Sequence, residues 1–259
     1  SKRLFSCIEE KMILTSKNNP LIKETISLKE KKFRKEKKCF LVEGAKMASE
    51  CRKSGLEIER VFVSESYRGE ADDSAIRVSD EVFARLSDEK TPQGILCVVK
   101  IPEKSLCPPR ESCLFLDGIS DPGNMGAIIR TANAAGYREL YLAECTDPYS
   151  PKSVRASMSG VFFVNLYTGT RKEILSALTG VPIFAADMDG ENIFSFSPPE
   201  KYVLAIGNEA NGISEEVFKA AEYTIKIPMQ ASQESLNAAV SAGIAMYVLK
   251  REQFIKSNR

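Results

Sequence analysis

Histidine is absent from all 259 residues. That removes the usual general base near neutral pH, the commonest zinc ligand and every Ser-His-Asp arrangement, so any catalysis has to run on other groups. Cysteine is present but unpaired in sequence: seven residues stand singly at 7, 39, 51, 97, 107, 113 and 145. An odd number with no C-x-x-C spacing excludes the common zinc and dithiol patterns, and predicts buried thiols and no bound metal. No apolar stretch is longer than a strand, so no segment is expected to span a bilayer, and no charged-then-apolar leader is recognisable. A cytoplasmic protein is expected. Excess charge is lacking too, since 36 basic and 35 acidic residues leave a net charge of +1. The distribution is uneven, however: residues 23–38, KETISLKEKKFRKEKK, hold eight basic residues against three acidic ones. This is either a solvated helix face or a phosphate-binding one, because clustered cations gain affinity by releasing condensed counterions. On the second reading Lys29, Lys31, Lys32, Arg34 and Lys35 are the contacts.

With 43% hydrophobic residues the chain can bury real cores, in one large domain or two of ordinary size. Its most unusual stretch is 202–251. The apolar run at 203–206 ends in Gly207-Asn208-Glu209, as a buried strand does when it delivers its carboxyl end to a ligand crevice. Ser214 followed by Glu215 and Glu216 is an N-cap with an acidic first turn, predicting a short helix to about residue 221. A strand at 223–227 then stops at Pro228. The irregular polar stretch 229–237 leads into a helix rich in small residues, with Ala238, Ala239, Ser241, Ala242, Gly243 and Ala245. It is either a tightly packed core helix or a place where two backbones, or a backbone and a ligand, meet. The two strand ends and the following loop converge on one crevice carrying Glu209, Asn211, Ser235 and Asn237.

Along the chain, residues 1–11 carry no functional pattern. One basic helix is predicted from Asn19-Pro20 to about residue 38, then a strand at 40–42 and a helix over 45–54 closed by Gly55. Strands at 61–64, 76–78 and 95–100, with a helix over 80–86 capped by Ser79, complete a small α/β domain. A proline-bearing linker at 102–112 follows. Beyond it, the strand at 113–116 opens into DGISDPGN and a helix over 125–135 that carries Arg130 on a face with Asn133 and Ala134. Strand, glycine-bearing loop and helix start is an arrangement that offers backbone N–H groups to an anion. A helix beginning near 147–151 carries Lys152 and Arg155, whose charges serve surface solubility or RNA. Strands at 140–143, 162–166, 182–186 and 202–206 and a helix over 171–178 give the alternation of a mostly parallel sheet covered on both faces.

Three segments taken together, LDGISDPGNMGAIIRTANAAG (116–136), LAIGNEANGIS (204–214) and IKIPMQASQESLNAAVSAG (225–243), resemble the ordered motifs of the SpoU, or TrmH-like, RNA ribose 2′-O-methyltransferases of the SPOUT superfamily. LVEGAKMASE (41–50) and TPQGILCVV (91–99) are similar to the opening and closing motifs of the substrate-binding domain that precedes the catalytic one in many such enzymes. The resemblance implies an α/β SpoU-type RNA-binding domain over 12–101 and a SPOUT domain over 113–259 ending in a trefoil knot. It implies S-adenosylmethionine held by Gly207, Ile227 and Leu236, with Met229, Ile206 and Asn208 beside them. It also implies a homodimer packed through the knot, and catalytic positions at Asn124, Arg130, Glu209, Ser235 and Asn237. RNA, most simply ribosomal RNA, is the implied partner, contacted by the basic segment and Arg155. Ala231 stands where the family usually has glycine, a departure that bears on the cofactor loop. Two roles are open for Arg130: the base itself, or a clamp on the phosphate next to the target ribose while a phosphate oxygen or water takes the proton. A silent RNA-binding assembly factor on the same fold, and a generic nucleotide-binding protein, are the competing readings.

Overall fold

The computed structural model describes residues 12–232 and 235–257, and the chain divides into two compact units, Ser1–Ile101 and Pro102–Arg259. The first unit is built on β1 (Cys39–Glu43), β2 (Ile58–Ser64), β3 (Ile76–Val78) and β4 (Ile95–Lys100), in the order β1-β4-β2-β3. Strand β4 is antiparallel to both neighbours, and β3 adds parallel to β2. Because successive strand residues face opposite sides, Cys39 and Leu41 join Phe62, Leu96 and Val98 in a core completed by α1 (Pro20–Ser27) and α4 (Asp80–Leu86) through Ile22, Phe83 and Leu86. On the other face α3 (Ala45–Ser54) buries Ala48 and Cys51.

The expected single basic helix is in fact two, α1 and α2 (Lys31–Lys37), broken at residues 28–30. Leu28 is buried in the core and its N–H bonds to the Thr25 carbonyl, which tightens the last turn. The Arg34 guanidinium then donates to the Leu28 carbonyl at 2.7 Å. Tertiary packing of one leucine overrides a charge pattern that runs on without interruption.

The second unit is a six-stranded sheet of β5 (Cys113–Asp117), β6 (Glu139–Ala143), β7 (Asn165–Gly169), β8 (Ile183–Asn192), β9 (Val203–Ile206) and β10 (Tyr223–Lys226), every pair parallel. Its order is β10-β8-β9-β5-β6-β7, so the winding reverses between β9 and β5, and the carboxyl ends of those two strands flank the crevice where such sheets bind ligands. Helices α5 (Pro122–Ala134), α6 (Pro151–Ser157), α7 (Arg171–Ala177), α8 (Glu215–Ala220), α9 (Ala238–Leu249) and α10 (Arg251–Ser257) complete it. Residues 102–112, expected as a linker, contain no helix or strand yet are tied to this unit: Tyr141 donates to the Cys107 carbonyl at 2.8 Å, and Glu139 accepts from the Arg110 N–H at 2.8 Å.

Two further expectations change. The strand expected at 162–166 starts only at Asn165, and the residues before it form a 3-10 turn, Gly160–Phe162. Gly160 lies against the backbone of α5, where a Cβ would come within 3.0 Å of the Arg130 Cα. The apolar run is buried under a helix instead of in the sheet, which hydropathy alone does not distinguish. Strand β8 also runs beyond 186. Thr224 of β10 pairs with Ala185, but the next residue, Ile225, pairs with Glu191, so residues 186–190 swing out of the ladder.

Of the cysteines, Cys39, Cys51, Cys97 and Cys113 are buried and Cys107 and Cys145 half-buried, whereas Cys7 lies outside the described residues, as do all of residues 1–11. Burial pushes the Cys51 thiol up to about 11 and the Cys97 thiol up to about 12.

Candidate active site

Strand β5 is apolar until its last residue, Asp117, which is 1% exposed. A buried carboxylate needs compensation. Here Arg171 at the start of α7 donates through Nε to Oδ1 at 2.6 Å, and the Ser214 N–H donates to Oδ2 at 2.7 Å. The other arm of Arg171 pairs with Glu144 at 2.6 Å. Asp117 thereby tethers the loop that leaves β9. Within that loop the Asn208 amide donates to the Gly118 carbonyl at 2.7 Å, while its oxygen accepts from the Ala210 and Asn211 N–H groups at 2.9 and 3.0 Å.

The loop so held presents Glu209 to the first turn of α5. One carboxylate oxygen accepts from the Ser120 N–H at 3.1 Å and hydroxyl at 2.8 Å; the other accepts from the Asp121 N–H at 3.1 Å and the Asn124 side chain at 3.0 Å. Burial by itself raises the Glu209 pKa, but the hydrogen bonds from Asn124 and Ser120 outweigh it and hold the group at about 2. Asn124 has its amide committed to this acceptor, so its oxygen is free to accept, and it does so from the Asn237 amide at 3.0 Å. The Asn237 oxygen in turn caps α9 by accepting from the Ala239 and Val240 N–H groups at 2.9 and 3.3 Å. The direction of this chain is fixed at one end by a carboxylate that only accepts and at the other by helix N–H groups that only donate. Asp121, the cap of α5, completes the corner by accepting from the Asn124 N–H at 2.8 Å and pairing with Lys152 at 3.2 Å.

Beside it lies a cavity of about 330 Å³ whose lining includes Ile206, Gly207, Asn208, Ile227, Met229 and Leu236, together with Glu209 and Ser235. All six residues expected to hold a cofactor therefore share one wall. Sequence reasoning missed Asp187, Met188, Ile193 and Lys226, which line the same cavity, and the Asp117–Arg171–Glu144 group that tethers the loop after β9. Asp117 had a signal in the charge that ends the run CLFLD; the cavity residues on β8 had none. Asn211 is exposed and lies outside the lining. Ala231 is exposed and also outside it, and its backbone is not among the described non-glycine residues with positive φ, so the methyl is accommodated.

Arg130 is exposed and its guanidinium makes no hydrogen bond or ion pair with any described residue. It stands six residues beyond Asn124, about 9 Å along the helix axis, outside the chain that joins Glu209, Asn124 and Asn237. Arg155 is half-buried on α6. In the first unit Lys31, Lys32 and Lys35 are exposed. Two other expected contacts need correction. Arg34 is 3% exposed and serves the Leu28 carbonyl, and Lys29 turns inward to donate to the carbonyls of Arg85 at 3.0 Å and Ser87 at 2.5 Å. Among the described residues no group of three potential ligands could hold a metal ion, and no helix is long and apolar enough to cross a membrane.

The model of the SpoU rRNA Methylase family matches residues 111–247, and that of the MRM3-like substrate binding domain matches 19–97. The 23S rRNA (guanosine(2553)-2′-O)-methyltransferase RlmP of Bacillus subtilis is 29% identical over 245 residues, covering 92% of this chain and 98% of that protein. The 23S rRNA (uridine(2479)-2′-O)-methyltransferase of Streptomyces viridochromogenes is 32% identical over 193 residues, 69% of this chain and 67% of that protein. Among solved structures, the AdoMet-bound rRNA methyltransferase of Sinorhizobium meliloti superposes with a TM-score of 0.84 at 28% identity, covering 93% of this chain and 98% of that one. The SpoU methyltransferase AviRb of Streptomyces viridochromogenes, in complex with AdoMet, gives 0.82 at 26% identity over 91% of this chain and 98% of that one.

Proposed function

The chain belongs to the SpoU rRNA methylase family, and we propose that its cavity and the polar chain beside it transfer a methyl group from S-adenosylmethionine to a ribose 2′-hydroxyl of ribosomal RNA. The observation that carries the reading is the convergence of Ile206, Gly207, Asn208, Ile227, Met229 and Leu236 on one cavity, with Glu209 shared between that cavity and the chain to Asn124 and Asn237. S-adenosylmethionine supplies an electrophilic methyl group on a sulfonium sulfur. The residues fit it: the aliphatic faces of Ile206, Ile227, Met229 and Leu236 suit a planar base, and Glu209 is ionised at any working pH, which suits a cation.

The protein's task is then to bring a ribose hydroxyl into line with that methyl, and positioning of this kind is worth roughly 7 to 11 kcal/mol in favourable cases. Asn124 and Asn237 lock the starts of α5 and α9 to the Glu209 loop, so cofactor wall and substrate wall are fixed relative to each other. Ser235 extends the cofactor wall toward the nucleotide. Arg130, exposed and uncommitted, clamps the phosphate next to the target ribose, and a phosphate oxygen or water takes the proton, because a guanidinium stays charged at accessible pH. Arg155 and the exposed Lys31, Lys32 and Lys35 hold further phosphates.

The C-terminal segment is knotted as a trefoil around the cavity, and the protein works as a cytoplasmic homodimer. Val240, Tyr247 and Ile255 on α9 and α10 support the dimer, being 51%, 43% and 55% exposed. The test is transfer of tritium from labelled S-adenosylmethionine to ribosomal RNA, followed by nucleoside analysis. Label in 2′-O-methyl nucleosides is expected with a metal chelator present. Absence of transfer, with the cofactor bound, would leave an RNA-binding role alone.

A further inference from the structure

The cavity wall contains a carboxylate that the reaction described above does not use. Asp187 sits in the excursion 186–190, where β8 leaves the ladder with β10 and returns. Excursions of this kind re-aim side chains next to binding sites. This one is held in shape. Gly190 rejoins so close to β10 that a Cβ would fall 2.5 Å from the Ile225 nitrogen and the Thr224 carbonyl carbon, which restricts the position to glycine. The Asp187 Oδ1 accepts from the Asp189 N–H at 3.0 Å, which fixes the side chain. Its Oδ2 has no partner among the described residues, and no salt bridge neutralises it there.

Other polar groups of the wall are differently placed. Asn208 is committed to internal partners, its amide donating to Gly118 and its oxygen accepting from Ala210 and Asn211, and Glu209 is saturated by internal donors. Lys226 is exposed and cationic. A half-buried acceptor-only group with one oxygen uncommitted selects a ligand that brings O–H or N–H donors to it. S-adenosylmethionine carries three kinds of donor, the adenine amino group, the ribose diol and the ammonium. The diol presents neutral O–H donors, which give shorter bonds to a carboxylate than the N–H of an aryl amine, whereas the ammonium group would share that margin with the Lys226 cation.

We propose that Asp187 binds the ribose diol of the adenosyl group and is a specificity-determining residue of the cofactor site. The inference rests on the function argued above. It is tested on the full chain by calorimetry with S-adenosylhomocysteine, its 3′-deoxyribose analogue and 5′-methylthioadenosine, which keeps the diol but has no amino-acid tail. The wild type should lose about 10- to 100-fold in affinity for the deoxy analogue, the worth of a hydrogen bond to a charged group. Asp187→Ala should bind S-adenosylhomocysteine and methylthioadenosine more weakly by a similar factor, and should distinguish the deoxy analogue by less than about threefold. Asp187→Asn, which keeps the oxygen that accepts from Asp189, should fall between. Equal affinity of the wild type for diol and deoxy ligands overturns the inference without any variant. Undiminished discrimination by Asp187→Ala overturns it as well, and so does a loss confined to S-adenosylhomocysteine, which would place Asp187 at the amino-acid end. Failure of the wild type to bind any of the three strikes the cofactor reading itself.

Discussion

Arg130 and Glu209 differ in how the structure holds them, and their substitutions should differ accordingly. Arg130→Lys keeps a charge but loses the planar fork that grips a phosphate. Turnover should fall roughly 100- to 1,000-fold, the range found when one transition-state donor is removed, while calorimetry should show unchanged cofactor affinity. Turnover near the wild-type rate would remove Arg130 from the mechanism. Glu209 is held at about 2 against an ordinary 4.5. Its contribution to stability is therefore complete above about pH 4.5 and is lost as the pH falls toward 2. Denaturant midpoints of wild type and Glu209→Gln should lie far apart at pH 6 and draw together at pH 3; a constant gap would show that the carboxylate charge does not matter to folding. The place of Glu209 was legible because it follows a strand end within a motif of fixed order, whereas Arg130, well inside α5, was singled out through the motif alone. Asp187 was not, since A-A-D-M-D-G reads as an ordinary turn. It becomes cavity wall only through a pairing with β10, whose residues come more than thirty positions later.

The cations of the first unit separate by element. Arg34 belongs to the junction of α1 and α2, where it satisfies a buried carbonyl, so Arg34→Met should cost about 1 to 3 kcal/mol in denaturant unfolding and leave the salt dependence of RNA binding unchanged. Lys31, Lys32 and Lys35 are exposed on α2. Replacing all three by glutamine should leave stability within about 0.5 kcal/mol per site and lower the slope of log affinity against log salt by roughly 0.7 to 0.9 for each phosphate that is no longer neutralised. An unaltered slope would make this face merely solvated. Helices with a cap and an amphipathic pattern, such as α3 behind Gly44 and α4 behind Ser79, could be read from sequence to the residue. The break at Leu28 and the 3-10 turn at Gly160 could not, because each is set by burial against a distant element and not by a local breaker.

For the whole molecule, alternation of strands and helices implied a parallel sheet but not the order in which strands β5 to β10 lie, nor therefore the reversal between β9 and β5. Association is a property at this scale. Tyr247 stacks on Phe254 with ring centroids 5.1 Å apart, and Val240 lies two turns away on α9. If the proposed dimer forms through this face, Tyr247→Glu should leave a monomer in sedimentation while circular dichroism stays unchanged; a wild-type monomer at micromolar concentration would refute the proposed dimer. The polar chain also carries a consequence in time. It joins Glu209 to Asn124 across 85 positions and Asn124 to Asn237 across 113, and closing such long loops costs entropy before any interaction repays it. A nascent chain that has emerged as far as residue 200 already holds Asn124 and Arg130 but neither partner of the Asn124 side chain, Glu209 or Asn237. The polar chain is thus a late arrival in folding, and an incompletely synthesised copy would lack the proposed catalytic corner even where its first unit is formed.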